Sequence, residues 1–320
     1  MPPSEQLDTA TDRSVTTLNS AVDIAASLPA IIDAIAEEHQ PSNAPFFHNL
    51  AALPHSIASD PQMLGELHLV YQATMHATRA AVYYMPHLDN PAMRKRKLQI
   101  FVDDDGLADG DTLHYQFTRS FRNIGADCLI GDEQFGDAEE LAPHLDAGTA
   151  EFVRLAKKLY SRSLGPWCIV ETMSDNWMHA LAHALSKNFP DIVKEPYFAD
   201  CFNQHVEERH AEEAIAVTQA VLRRRPELFD QTVEDANAMA DALDKVWVAM
   251  NTIVGSAIRR HEAANGLLKT TWQGAIGGIV MANSQASLAT IMRQSFVMAV
   301  RMPSCPLFDT ARRLLRMLPA

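Results

Sequence analysis

Apolar residues along the chain recur at intervals of three and four, while strict alternation is almost absent, so the pattern predicts helices rather than strands. Ser20 to Glu38 is the first clear run, and it stops before Pro41. Pro41, Pro45, Pro54 and Pro61 then punctuate a short connecting region. A helix is predicted from about Met63 to Tyr84, ending before Pro86, and Asn90-Pro91 opens another that runs to about Val102. Residues 103–111 carry two glycines and five aspartates and read as a loop. Asp111 is a candidate N-cap for a helix through Ile124, which Gly125 terminates. Further helices are predicted at about 146–164, 166–188, 197–224 and 232–264, with Pro166, Pro190, Pro196 and Pro226 supplying the breaks. The expectation is an all-α bundle over residues 15–264, preceded by a disordered leader over 1–14. Residues 265–320 form a separate C-terminal helical extension. It contains Gly274, Gly277 and Gly278 among small and apolar residues. Packing on the bundle, a homodimer contact and a lid over a substrate tunnel all remain open for it.

Bulk composition narrows the function classes. A hydrophobic fraction of 47% with 21% charged residues is ordinary for a water-soluble chain, and no apolar stretch reaches the length of a membrane span. Met1 to Arg13 is polar and acidic, with no secretory pattern, so the protein reads as cytoplasmic. Net charge is −13, which argues against a nucleic-acid partner. The basic runs Arg94-Lys95-Arg96-Lys97 and Arg223-Arg224-Arg225 are short and read as solvated helix faces. Cys128, Cys168, Cys201 and Cys305 are scattered, form no CxxC pair, and read as reduced structural thiols.

Three clusters carry candidate chemistry. The first lies within Phe202-Asn203-Gln204-His205-Val206-Glu207-Glu208-Arg209-His210, where Glu207 and His210 are three apart and share a helix face. A Glu-x-x-His pair is one way for a bundle to present oxygen and imidazole donors to iron or manganese, although acidic helices also contain it as an ordinary intrahelical pair. The second follows Pro166: Glu171, Asp175, His179 and His183 are spaced four apart. They form either a solvated polar stripe or a set reaching the interior. Glu171, next to Trp167, Cys168, Ile169 and Val170, is the one whose neighbours predict burial, and a buried carboxylate needs a partner such as a metal. The third is the Asp-rich loop with His114 beyond it, which alone reads equally as an exposed turn.

Taken in order, these segments resemble the heme-oxygenase-like diiron oxidases and oxygenases, a family of helical bundles. Asn43-Ala44-Pro45-Phe46-Phe47-His48-Asn49-Leu50 is similar to its opening signature. Asp104-Asp105-Gly106, Gly110-Asp111-Thr112-Leu113-His114 and Phe121-Arg122-Asn123-Ile124-Gly125 resemble its acidic residue, loop and following histidine. Leu164-Gly165-Pro166-Trp167-Cys168-Ile169-Val170-Glu171 resembles its next ligand segment, and Asn203, Glu207 and His210 fall on its closing His-x3-Asp/Glu-x2-His motif. The resemblance covers roughly residues 30–255. It implies a heme-oxygenase-like fold with Asp104, His114, Glu171, Glu207 and His210 as ligands to Fe(II), two ions per chain, and O2 as co-substrate. It further implies an external electron donor and a small substrate such as an amine, amino-acid or fatty-acid derivative. N-oxygenation, desaturation and C–C cleavage are the family's outcomes. Asp104 has a shorter arm than the family's usual Glu, and Asn203 stands where the family has His. His205 is a candidate substitute if a π-bulge brings it onto the face of His210, five residues on. Arg119, Arg122 and Arg209 read equally as contacts for a substrate carboxylate or as surface ion pairs, and Arg209, adjacent to the Glu207–His210 face, is the first candidate for the contact.

Two rival readings stay open. One is a metal-free bundle acting as a thiaminase-type hydrolase, with Cys168 or Cys201 as nucleophile, or as a non-catalytic binding protein. The other is a heme site using His39.

Overall fold

The computed structural model describes the backbone of residues 8–82, 85–88, 90–105, 112–129, 144–199 and 206–281, and side chains within 22–266 of these. Among the described residues there is no strand, and the helices are α1 (Asp8–Glu38), α2 (Pro45–Ala51), α3 (His55–Ala58), α4 (Pro61–Val82), α5 (Pro91–Asp105), α6 (Leu113–Asn123), α7 (Ala147–Tyr160), α8 (Gly165–Ser186), α9 (Val206–Leu222) and α10 (Phe229–Met281). The all-α architecture expected from the periodicity is the one observed.

The chain divides into two compact units at Ile258/Arg259. The break falls within α10, which continues as one helix to Met281 rather than stopping near 264, so Gly266 and Gly274 do not end it. A lone glycine costs a helix only about 1 kcal/mol, too little to break one that is otherwise well formed. At the other end, α1 already begins at Asp8, so part of the segment 1–14 expected as a leader is helical, and residues 1–7 lie outside the described ones. Among the described residues no helix is long and apolar enough to cross a membrane.

Helix boundaries follow local chemistry. Asp60 Oδ1 accepts from the backbone N–H of Gln62 at 2.9 Å and of Met63 at 3.3 Å, capping α4. Asp146 does the same for α7 through Gly148 and Thr149. The cap of α6 is Thr112, whose Oγ1 accepts from Tyr115 N at 3.2 Å, rather than Asp111, which lies outside the described residues. Thr112 is adjacent to the first helical residue and Asp111 is one position too early. Gly125 adopts φ +94°, and Ala126 N donates back to Phe121 O, so this glycine closes α6 as expected. α5 extends to Asp105, past the predicted end at Val102 and through part of the Asp-rich segment.

In the first unit α8 is central. It packs against α9, α2 and α1, while α4 packs on α7 and α6, and α5 on α9. Trp177 of α8 meets Trp247 of α10 at 6.0 Å between ring centres, and Phe47 of α2 meets the same indole at 5.2 Å. Tyr71 of α4 stacks on Phe117 of α6 at 4.4 Å, its hydroxyl bonded to Tyr197 Oη at 2.8 Å. Phe46 and Phe47, from the segment resembling an opening signature, are buried in this core.

Two glycines permit the close approaches. A Cβ on Gly65 would sit 2.0 Å from the backbone O of Asp127, and one on Gly165 would sit 1.9 Å from the backbone O of Thr232. Both obstructing atoms are main chain and cannot swing aside as a side chain can. Gly165→Ala should therefore destabilise the first unit by about 2–3 kcal/mol, the upper part of the overpacking range. Gly266→Ala, where a Cβ meets nothing within 4 Å, should instead be neutral or gain up to about 1 kcal/mol. Urea unfolding of the two variants beside the parent checks this; equal midpoints for all three would refute it.

Candidate metal centre

Pro166 in the first turn starts α8 with its φ preset, and the helix then carries Trp167, Glu171 and Ser174 at intervals of four and three, on one face. The Trp167 indole N–H donates to Glu171 Oε1 at 2.9 Å, fixing that carboxylate from within its own helix. On α9, Glu207 and His210 share the face turned to α8, and both are buried, at 6% and 2% exposure. Glu208 and Arg209 between them are exposed. Ser174 ties the two helices: its Oγ lies 2.6 Å from Glu207 Oε2. The same oxygen is 2.8 Å from the Glu171 carbonyl, but a hydroxyl has one proton, and the charged, nearer carboxylate is the stronger acceptor.

These two helices bring three donors to one point. His210 Nδ1 is 3.7 Å from Glu171 Oε2 and 4.0 Å from Glu207 Oε2, and one ligand atom from each residue lies within 4.8 Å of the others. Two ligands held about 2.0–2.2 Å from one ion are themselves about 3–3.5 Å apart. Closing these gaps onto an ion asks for shifts well within side-chain reach. The donor set, two carboxylates and an imidazole, suits a divalent first-row metal. Glu171 and Glu207 also line a cavity of about 60 Å³, walled by Met75, Thr78 and Arg79 of α4, Lys97 and Ile100 of α5, and Leu113 of α6, besides aromatic residues of α7 and α8. That is space for a few water-sized molecules beside the donors.

Of the residues expected as ligands, Glu171, Glu207 and His210 are thus brought together. His114 stands outside this 4.8 Å group, at the α4–α6 wall next to Leu113. Its Nδ1 is 2.7 Å from Gln72 Oε1. The side chain of Asp104 lies outside the described residues; its backbone falls in the last turn of α5 rather than in a loop. His205 and Asn203 lie outside the described residues altogether. Arg209, the candidate substrate contact, is exposed on α9 and is not among the residues lining this cavity. One hundred degrees per residue carries position 209 away from the face shared by 207 and 210. The cations that do line the cavity are Arg79 of α4 and Lys97 of α5, neither of which was expected as a site residue. Arg79 sits four residues beyond Met75, a spacing that places it on the same face, but nothing in the sequence alone marks that face as a cavity wall.

Asp175 and His179 pair with each other at 3.3 Å on the surface, and His183 is exposed, so beyond Glu171 this stretch is a solvated stripe. Cys168 is fully buried, its Sγ 3.0 Å from Thr218 Oγ1, and burial pushes the thiol up to about 12, which removes it as a nucleophile. Cys201 lies outside the described residues. His39 Nδ1 lies 2.7 Å from Asp244 Oδ2, so that nitrogen serves a carboxylate.

Behind the α4–α6 wall runs a buried polar chain. Gln72 Nε2 donates to the His114 backbone O at 3.0 Å and to Thr118 Oγ1 at 3.2 Å, and His68 Nε2 meets the same Thr118 oxygen at 2.9 Å. Burial, with Arg122 nearby, lowers the His68 pKa to about 3, and burial, with Arg79 and two histidines nearby, does the same to His114.

No known protein family and no curated protein matches this chain.

The buried histidines predict an acid sensitivity. The unfolded chain takes up a proton on His68 below its ordinary value of 6.5, whereas the folded protein does so only near 3. Stability from this group is complete above pH 6.5 and falls as pH drops towards 3, by roughly 1.4 kcal/mol per pH unit. Urea unfolding at several pH values between 7 and 4.5 should show a gentler slope for His68→Leu than for the parent; parallel slopes would count against a neutral buried His68.

Proposed function

We propose that this protein is a non-heme iron oxidase or oxygenase that uses O2 to oxidise a small molecule, with Glu171, Glu207 and His210 holding Fe(II). The observation carrying this reading is the convergence of these three side chains from two helices, two of them lining a cavity beside the group. Hard carboxylates with an imidazole and open coordination positions suit Fe(II) and its reactions with O2, which is the chemistry the ion would supply when bound. The resemblance to heme-oxygenase-like diiron enzymes points the same way.

The chain's own residues have definable tasks in such a site. Trp167 and Ser174 each donate to one ligand carboxylate, orienting it and leaving its other lone pairs for the ion. Met75, Ile100, Leu113 and the α8 aromatics give the cavity a largely apolar wall, which strengthens charge interactions beside it. Substrate and electrons arrive from outside, from a small metabolite and an external donor. The three grouped ligands make up the protein's share of one ion; a second iron draws on His114 and Asp104.

Purification without oxygen in the presence of Fe(II), followed by metal analysis and O2-uptake measurements, tests this reading. One iron per chain assigns a mononuclear centre and two a dinuclear one, with O2 consumed on exposure in either case. His210→Ala should lower iron affinity by more than the roughly 10–100-fold that follows loss of a residue supporting a ligand. A protein that retains no iron, or a His210→Ala variant that binds it as tightly as the parent, would remove the proposal.

A further inference from the structure

Most of the polar side chains lining the cavity are committed to partners in the protein. The Thr78 hydroxyl donates to the Met75 carbonyl at 2.8 Å, and the Ser174 hydroxyl lies 2.6 Å from Glu207. The Trp167 indole donates to Glu171, and that of Trp177 to Tyr71 Oη at 3.3 Å. Lys97 Nζ donates to the Val82 carbonyl at the end of α4. Tyr160 differs. It lines the same cavity and is 1% exposed, yet among the described residues its hydroxyl has no hydrogen-bond partner.

A buried phenol in that state is uncommon, because a hydroxyl withdrawn from water and left unbonded costs stability. Tyr160 is the last residue of α7 and follows Phe152 and Ala156 at intervals of four, so the buried face of that helix carries its ring inward. Glu171 is near enough for its charge to act on the phenol, and burial with that charge raises the pKa, so the group keeps its proton. It does not spend that proton on Glu171, whose Oε1 accepts from Trp167 and whose Oε2 faces His210 at 3.7 Å. The O–H therefore remains for a molecule entering the cavity.

The lining narrows what that molecule is. Arg79 and Lys97 present only donors, as does a protonated phenol to an acceptor, while Met75, Ile100 and Leu113 offer apolar surface. A carboxylate accepts at both oxygens and donates at neither, and a cavity of about 60 Å³ suits a short one. Glu171 and Glu207 oppose an anion by themselves; a cation held between them removes that opposition, so ion and carboxylate strengthen each other's binding.

We propose that Tyr160 is a specificity-determining residue whose hydroxyl donates to an oxygen of a small carboxylate lodged in the cavity beside Glu171. The help given by a cation rests on the metal reading above, whereas the unengaged phenol belongs to the metal-free protein. Nothing in the sequence marks Tyr160, which reads as one more residue of an apolar helix face.

Tyr160→Phe removes the hydroxyl alone and tests the parts separately. In the metal-free full chain its urea midpoint should equal or exceed the parent's; a lower midpoint shows a hydroxyl engaged by the protein and overturns the proposal. Zn(II), which has no redox chemistry, then stands in for Fe(II), and acetate and acetamide serve as probes. Carbon-13 label at the hydroxyl-bearing ring carbon of tyrosine, with Tyr160 assigned by loss of its signal in Tyr160→Phe, reads the contact. In the Zn(II)-loaded parent the Tyr160 signal should move with acetate, acetamide should bind more weakly, and Tyr160→Phe should lose roughly 10–100-fold in acetate affinity. A stationary signal, or equal acetate affinity in parent and variant, overturns the contact, and acetamide binding as tightly as acetate overturns the carboxylate. A chain that retains no Zn(II) counts against the metal reading alone. The phenol contact is then decided on the metal-free chain at higher acetate, where a moving Tyr160 signal supports it and a stationary one overturns it.

Discussion

The packing of α9 on α8 is the constraint on which the candidate site depends. It places the carboxylates of Glu171 and Glu207 beside the imidazole of His210, in surroundings that would penalise each of them alone. A carboxylate withdrawn from water demands hydrogen bonds, counter-charge or a cation. Trp167 and Ser174 supply one hydrogen bond to each, and the imidazole stands within 4 Å of both. A purely structural interface has little reason to gather two acids and a histidine where leucine would pack better. Their shared position is one that a bound cation would stabilise.

The rest of the first unit holds that interface in register. Gly165 lets the start of α8 touch the backbone of α10 at Thr232, and the Trp177–Trp247–Phe47 cluster secures the same helix further along. On the opposite wall, the Tyr71–Phe117 stack and the Gln72–Thr118–His68 chain join α4 to α6. Ligands are thus borne by helices whose own positions are set by contacts with little slack. A site of this kind tolerates only small displacements of its donors, and these contacts would limit them.

Much of the architecture was legible because helical periodicity and proline breaks are local signals. The ligand pair Glu207 and His210 was legible for the same reason, since a spacing of three is a helix face wherever the helix lies. Glu171 could be separated from Asp175, His179 and His183 only by its apolar neighbours, and burial bears out that distinction. Arg209 falls on another face of α9 than Glu207 and His210, because nearness in sequence is not nearness on a helix surface. Arg79, Lys97 and Gln72 were invisible because their importance comes from contacts between α4, α5 and α6, which no single segment encodes. The continuation of α10 to Met281 escaped notice because isolated glycines look like stops but carry too small a penalty to act as them.

The two ligand-bearing helices also have a consequence for how the chain would respond to an ion. Glu171 and Glu207 are 36 positions apart (207 − 171), and Ser174 of α8 reaches the Glu207 carboxylate across the two helices. A cation gripped from both sides acts as a clip on that loop, restricting the unfolded ensemble much as a covalent cross-link does. For a loop of this size the entropy argument gives about 4 kcal/mol. The same atoms that select the ion would then double as a reversible staple, and the fold's resistance to unfolding would report how full the centre is.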